Sequence, residues 1–196
     1  NKIKKGITMQ SNRLRVLMEV AIFAVISLIL DLFIPSTWAL NISFKMLPVV
    51  IIALRRGTIP GVLSGFLWGF LQFAVGNAHI LTISQFLLEY FVAFALIGLA
   101  GVLSVPLKNT LRMEPERKTK HVVLAGTGLV IGSFARYVIH FIAGYIFWGQ
   151  YAPEGQSAVL YSFLVNISAF SSETLTTLFV LILLAQSYKR LILVEN

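Results

Sequence analysis

Basic residues in this chain recur at every second gap between apolar runs and nearly vanish from the gaps in between. Six apolar runs can be drawn, at about residues 14–34, 44–54, 59–75, 83–105, 122–147 and 159–185. Lys2, Lys4, Lys5, Arg13 and Arg15 precede the first run, and Arg55 and Arg56 separate the second from the third. Lys108, Arg112, Arg117, Lys118 and Lys120 lie between the fourth and fifth, and Lys189 and Arg190 follow the sixth. The remaining gaps hold no Lys or Arg, and on that side only Lys45, at the start of the second run, is basic. Lysine and arginine are retained on the cytoplasmic side of membrane proteins. The pattern therefore predicts an all-α integral membrane bundle of six transmembrane helices with both termini cytoplasmic. Five or seven spans would mix the charges. The second run is shorter than the about 20 residues that cross the hydrocarbon. It is expected to be tilted, shielded by protein, or extended by the loop before it.

Composition agrees: 57% of the 196 residues are hydrophobic and 12% are charged, with mean hydropathy +0.84. Soluble domains need more polar surface than this. The net charge of +8 would suit nucleic acid, but its placement beside apolar runs assigns it to the membrane surface. Residues 1–196 read as one membrane domain. Residues 1–8, ahead of Met9, read as leader or added sequence and stay outside the fold expectation. The first run lacks a cleavage pattern and is expected to remain as a helix. The connector 108–120 reads as a solvated loop.

Polar groups inside apolar runs are costly and mark candidate function. Residues 136–148 read Arg-Tyr-Val-Ile-His-Phe-Ile-Ala-Gly-Tyr-Ile-Phe-Trp. Arg136, His140, Gly144 and Trp148 fall four apart and share a helix face. That face presents a cation, an imidazole, a gap in which a ring could lie, and an indole. Glu89 sits near the outer end of the fourth run, with Gln85 one turn earlier on the same face. Asn166 lies at a similar depth in the sixth run. Glu89, His140 and Asn166 could therefore converge with Trp38, Tyr90, Trp148 and Tyr161 on a cavity open to the outside. Aromatic faces with a carboxylate suit a flat, polar, cationic ring compound. The structural alternative is that Glu89 pairs with Arg136. Asp31 and Glu19 lie near run ends and are expected to be solvated, and Glu173 is expected to contact neighbouring helices.

Catalytic motifs are absent. There is no Gly-x-Ser-x-Gly pattern, no Gly-x-x-x-x-Gly-Lys phosphate loop, no cysteine, and no metal-ligand spacing among the three histidines. No metal or cofactor is expected.

The run Ala53-Leu-Arg-Arg-Gly-Thr-Ile-Pro-Gly, then Trp68-Gly69, Glu89-Tyr90 and His140-Phe-Ile-Ala-Gly-Tyr-Ile-Phe-Trp-Gly-Gln-Tyr resemble the thiamine-specific substrate-binding subunit (S-component) of energy-coupling factor (ECF) transporters. The resemblance covers nearly the whole chain. It implies a bacterial plasma-membrane protein that binds thiamine tightly from outside. Such a protein works with a transmembrane coupling subunit and two cytoplasmic ATPases, which would supply the ATP chemistry missing here. By the same resemblance Glu89 receives the aminopyrimidine, His140 and Asn166 complete its polar contacts, and Trp148 stacks on a ring. Trp38 covers the site, and Tyr90, Arg136 and Tyr161 line the remainder. In this family a first-helix Ala-x-x-x-Ala motif packs on the coupling subunit. Here Ala21 is followed four on by Val25 and Ala24 by Leu28, so Val20, Ala21 and Ala24 are the nearest docking candidates.

Two other readings compete. One is an S-component for another vitamin such as riboflavin or biotin. The other is a membrane enzyme acting on a lipid or isoprenoid, with Glu89 and His140 as acid and base. The orientation is testable because the chain has no cysteine. Ser157→Cys is expected to react with an impermeant thiol reagent in intact cells, and Thr119→Cys is expected not to. The opposite labelling would overturn the predicted orientation.

Overall fold

The shortest apolar run forms the centre of the bundle. In a computed structural model, which describes residues 2–33 and 43–194 with side chains from Gln10 onward, helix α2 covers Leu47–Arg56. Every residue from Leu47 to Leu54 is buried. Ten residues rise only about 15 Å, half the hydrocarbon thickness. The helix is stable because other helices, not lipid, surround it. Its Val49, Val50, Ala53 and Leu54 pack into one core with Trp68, Phe94, Ile97, Leu129 and Leu181.

Five further helical rods surround it. They are α1 (Lys2–Phe33), α3 (Thr58–Ala74), α4 (Ile83–Met113), α5 (Lys118–Phe147) and α6 (Ala158–Ile192). Gln10–Phe33 of α1, with α4, α5 and α6, are long and apolar enough to cross a membrane. Large apolar side chains such as Leu14, Phe66, Phe134 and Phe179 are exposed on the outside of the bundle, where lipid tails would cover them. Among the described residues there is no strand.

Two differences from the sequence expectation have clear causes. The connector is not a loop from Lys108: α4 continues to Met113, and only residues 114–117 separate it from α5. Leu107, Thr110 and Leu111 are buried on one side of that helical end, so its apolar face outweighs its charges. Glu19 is not solvated either. Arg55 and Arg56 both grip its carboxylate, Arg56 through Nε and Nη2 at 2.7 Å each. Arg55 also donates to the Leu191 carbonyl at 2.8 Å. Paired guanidinium–carboxylate contacts of this kind are directional and strong. They tie α1, α2 and α6 together at the end of the bundle that carries most of the basic residues.

Gly57 joins α2 to α3 in one residue, at φ 100°, a conformation that glycine adopts without strain. The α3–α4 contact is set by Gly61, Gly65 and Gly69, four apart on one face of α3, and by Gly98 of α4. A Cβ on Gly65 would overlap the Phe94 carbonyl, one on Gly69 the Tyr90 carbonyl, and one on Gly98 the Gly61–Val62 backbone. Small residues at this spacing let membrane helices touch backbone to backbone. Ser64, between them, donates to the Val20 carbonyl of α1 at 3.1 Å.

That last contact bears on the docking candidates. Val20 and Ala24 are buried inside the bundle, whereas Ala21 is exposed. Val20 and Ala24 fill the α1–α3 seam and present nothing to a partner, so of the three only Ala21 lies on the outer face.

Gly69→Ala is expected to lower thermal stability in detergent by about 1–3 kcal/mol or more, because the new methyl meets backbone. Ile59→Ala, at a lipid-facing position, is expected to change it little. Equal melting temperatures for the two variants would show that the α3–α4 contact is looser than described.

Candidate functional site

Glu89 lies where α4 departs from α-helical geometry. Leu87–Val92 forms a wide π-type turn, and the Ala93 amide donates to the Leu88 carbonyl five residues back. Such turns inside α-helices often mark functional sites, since the extra residue re-aims a side chain. Here the turn packs by its Tyr90 carbonyl against Gly69.

The Glu89 carboxylate receives two donors. Trp148 Nε1 donates at 3.0 Å, and Gln85 Nε2 donates to the other oxygen. Gln85 is itself fully buried. It also donates to the His79 carbonyl at 3.1 Å and accepts from the Leu81 amide at 3.0 Å. Its amide orientation is thus fixed, with the NH2 toward Glu89. Tyr90 accepts from the His79 amide at 2.9 Å, which ties the same turn down.

Arg136 does not pair with Glu89. Its Nη1 lies 3.2 Å from Glu173, and its guanidinium stands 4.8 Å from the Phe94 ring centre and 5.3 Å from that of Tyr137, a cation–π arrangement. Its Nε donates to His140 Nε2 at 3.3 Å. Glu173 is also 3.3 Å from Lys45, which lies 2.9 Å from Asp31. Gln72 donates to Asp31 and accepts from Asn77. Asp31, Lys45, Glu173 and Arg136 therefore form one chain of alternating charge from α1 to α5. The expectation of a solvated Asp31 is corrected, because its partner Lys45 is folded inside rather than exposed on an outer loop. Glu173 contacts neighbouring helices as expected.

Asn166 is held by its own helix and by α5: its Nδ2 lies 2.9 Å from the Ser162 carbonyl of α6 and 3.4 Å from the His140 carbonyl of α5. Gly144 lies on the wall of a cavity beside α6. A Cβ there would overlap Ser162 and come within 3.2 Å of Asn166 Nδ2, so its missing side chain lets α6 approach.

Glu89, His140, Gly144, Trp148, Tyr161, Ser162, Val165 and Asn166 line a cavity of about 240 Å³. A second, more polar cavity of about 190 Å³ shares Glu89 and His140 and is completed by Tyr90, Phe94, Arg136, Lys45, Asp31, Gln72 and Asn77. The structure thus brings Glu89, His140, Trp148, Tyr161 and Asn166 onto one cavity wall, with Tyr90 and Arg136 on the wall of the adjoining cavity. Trp38 lies outside the described residues. Among the described residues no three His, Asp or Glu side chains gather as for a metal.

Sequence reading missed Lys45, Asp31 and Gln72 as parts of the site. The signal was the balance of buried signs: cations and carboxylates inside a membrane pair with each other. The count around the two cavities also matters chemically. Asp31, Glu173 and Glu89 are three carboxylates against the two cations Lys45 and Arg136. Among the described residues Glu89 makes no ion pair, so its carboxyl is the one acid of the three without a cation beside it.

The thiamine transporter protein family profile matches residues 17–193. A thiamine transporter of Lacticaseibacillus paracasei is 38% identical over 89% of each chain. One of Bacillus subtilis is 33% identical over 93% of this chain and 96% of its own. The solved structure of a protein named ThiT from Listeria monocytogenes superposes with a TM-score of 0.88 at 34% identity, covering 93% of this chain and all of that one.

The roles of the two carboxylates are separable. Glu173→Gln is expected to destabilise the protein by about 3–5 kcal/mol, because Arg136 and Lys45 lose a buried partner. Glu89→Gln is expected to stay near parental melting temperature. Melting curves that rank the two variants the other way would reassign the structural pair.

Proposed function

The chain belongs to the thiamine transporter protein family, and from that membership we propose that it binds thiamine at the outer end of the bundle as the substrate-specific subunit of an ATP-driven ECF importer. It is a multi-pass membrane protein and a transport protein rather than an enzyme, its relatives being named thiamine transporters.

The observation that carries the thiamine reading is Glu89. It is a half-buried carboxylate without a cationic partner among the described residues, in a cavity walled by Trp148, Tyr161 and His140. Thiamine brings one positive charge on its thiazolium and an amino group on its pyrimidine. The amino group donates to Glu89, and His140 and Asn166 take the remaining pyrimidine edge. Trp148 stacks on a ring, with Trp38 above the site and Tyr161 and Tyr90 along its sides. Arg136 lies beneath and is already held by Glu173.

No phosphate-binding loop occurs in the sequence; under this proposal a transmembrane coupling subunit and two cytoplasmic ATPases supply the energy for uptake. The exposed apolar strip of α1 that includes Leu14, Leu17, Met18, Ala21 and Val25 is the docking face for the coupling subunit. With both termini cytoplasmic, the cavity opens outward.

Thiamine at micromolar concentration is expected to quench tryptophan fluorescence of the purified protein, and riboflavin and biotin are expected not to compete. Glu89→Gln should weaken thiamine binding roughly ten- to a hundredfold, the loss of one charge-assisted hydrogen bond. Unchanged fluorescence on titration, or parental affinity in Glu89→Gln, would remove the support for this site.

A further inference from the structure

We infer that Arg136 is a positioning residue that fixes the hydrogen-bonding polarity of His140, so that the ligand meets an Nδ1–H donor beside the Glu89 acceptor. The inference deepens the thiamine reading and rests on it for the identity of the ligand.

A guanidinium has only donors. Arg136 Nε points its proton at His140 Nε2, 3.3 Å away, so that nitrogen must keep its lone pair. A proton there would set donor against donor and cation against cation. Arg136 is not able to turn away to admit one. Its Nη1 is held by Glu173 at 3.2 Å, and the rings of Phe94 and Tyr137 close on its plane. It is 5% exposed. The single proton of a neutral imidazole then resides on Nδ1.

His140 and Glu89 line the same cavity. Glu89 already accepts from Gln85 and Trp148, and as a carboxylate it offers the ligand only acceptor capacity. Of these two residues, Glu89 presents an acceptor and His140 a donor. The complementary ligand edge is an amino group next to a bare ring nitrogen, as in a 4-aminopyrimidine. A 4-oxopyrimidine reverses both groups: its carbonyl meets Glu89, and its ring N–H meets the Nδ1–H. Arg136 thereby contributes to selectivity without touching the ligand.

The test begins with the full-length parent protein, ligand-free, in detergent and labelled with ¹⁵N-histidine. The His140 signals are assigned by their loss in His140→Gln. The expected spectrum has Nδ1 protonated and Nε2 bare at neutral pH. A proton on Nε2, alone or in an imidazolium, overturns the inference. Next, binding of thiamine and of its 4-oxo analogue is compared. The parent is expected to prefer thiamine roughly a hundredfold, since both hydrogen bonds are mismatched in the analogue. In Arg136→Met/Glu173→Gln, which removes the donor and the carboxylate it would leave behind, that preference should narrow by about tenfold. An unchanged preference there overturns the inference. A parent with the Nδ1–H form that binds no thiamine overturns the transport reading while supporting the assignment of Arg136.

Discussion

Arg136 and Glu173 depend on each other more than any other pair in this molecule. In a bilayer neither charge is tolerable alone, and neither has an escape to water: the two side chains are 6% and 3% exposed. Their meeting fixes α5 against α6. Lys45 and Asp31 extend the pairing to α1 and to the segment that leads into α2. The cost of desolvating four charges is offset only while all of them stay together. Such a cluster specifies one arrangement of helices more than it adds stability. The site inherits that specificity, because His140 leans on Arg136 and the carboxylates outnumber the cations by one.

Close backbone packing does the corresponding work on the other side of the cavity. Gly61, Gly65 and Gly69 bring α3 against α4, and the wide turn at Leu87–Val92 sits at the top of that contact. The turn and the glycines are one device. A helix with an extra residue per turn has carbonyls displaced from their usual partners, and a neighbour without side chains can approach them. Glu89 is carried by this turn, and Gln85 sets the orientation in which it arrives.

The two ends of the bundle differ in what their charges do. At the basic end Glu19 ties two arginines and leaves a positive surface. At the opposite end the charges are internal, nearly balanced, and directed into cavities. The two cavities and the basic surface are thereby separated along the bundle. The short α2 runs between them, buried from Leu47 to Leu54.

From the order of apolar runs and basic gaps alone, the sequence determined an all-helical membrane protein. It also marked Glu89, His140, Trp148 and Asn166 as polar or aromatic residues in expensive positions. These are properties of composition along the chain, because solvation energy depends on residue type and depth. Which charge meets which was decided only in three dimensions. Both Glu89 and Glu173 are distant from Arg136 in sequence, so neither is a local partner, and the fold gives Arg136 to Glu173 and leaves Glu89 without a cation. The π-type turn was equally hidden, since Leu-Leu-Glu-Tyr-Phe-Val is as good an α-helix as any apolar stretch. Pairing partners and helix defects arise from the packing of distant segments, and local sequence energies differ too little to decide them.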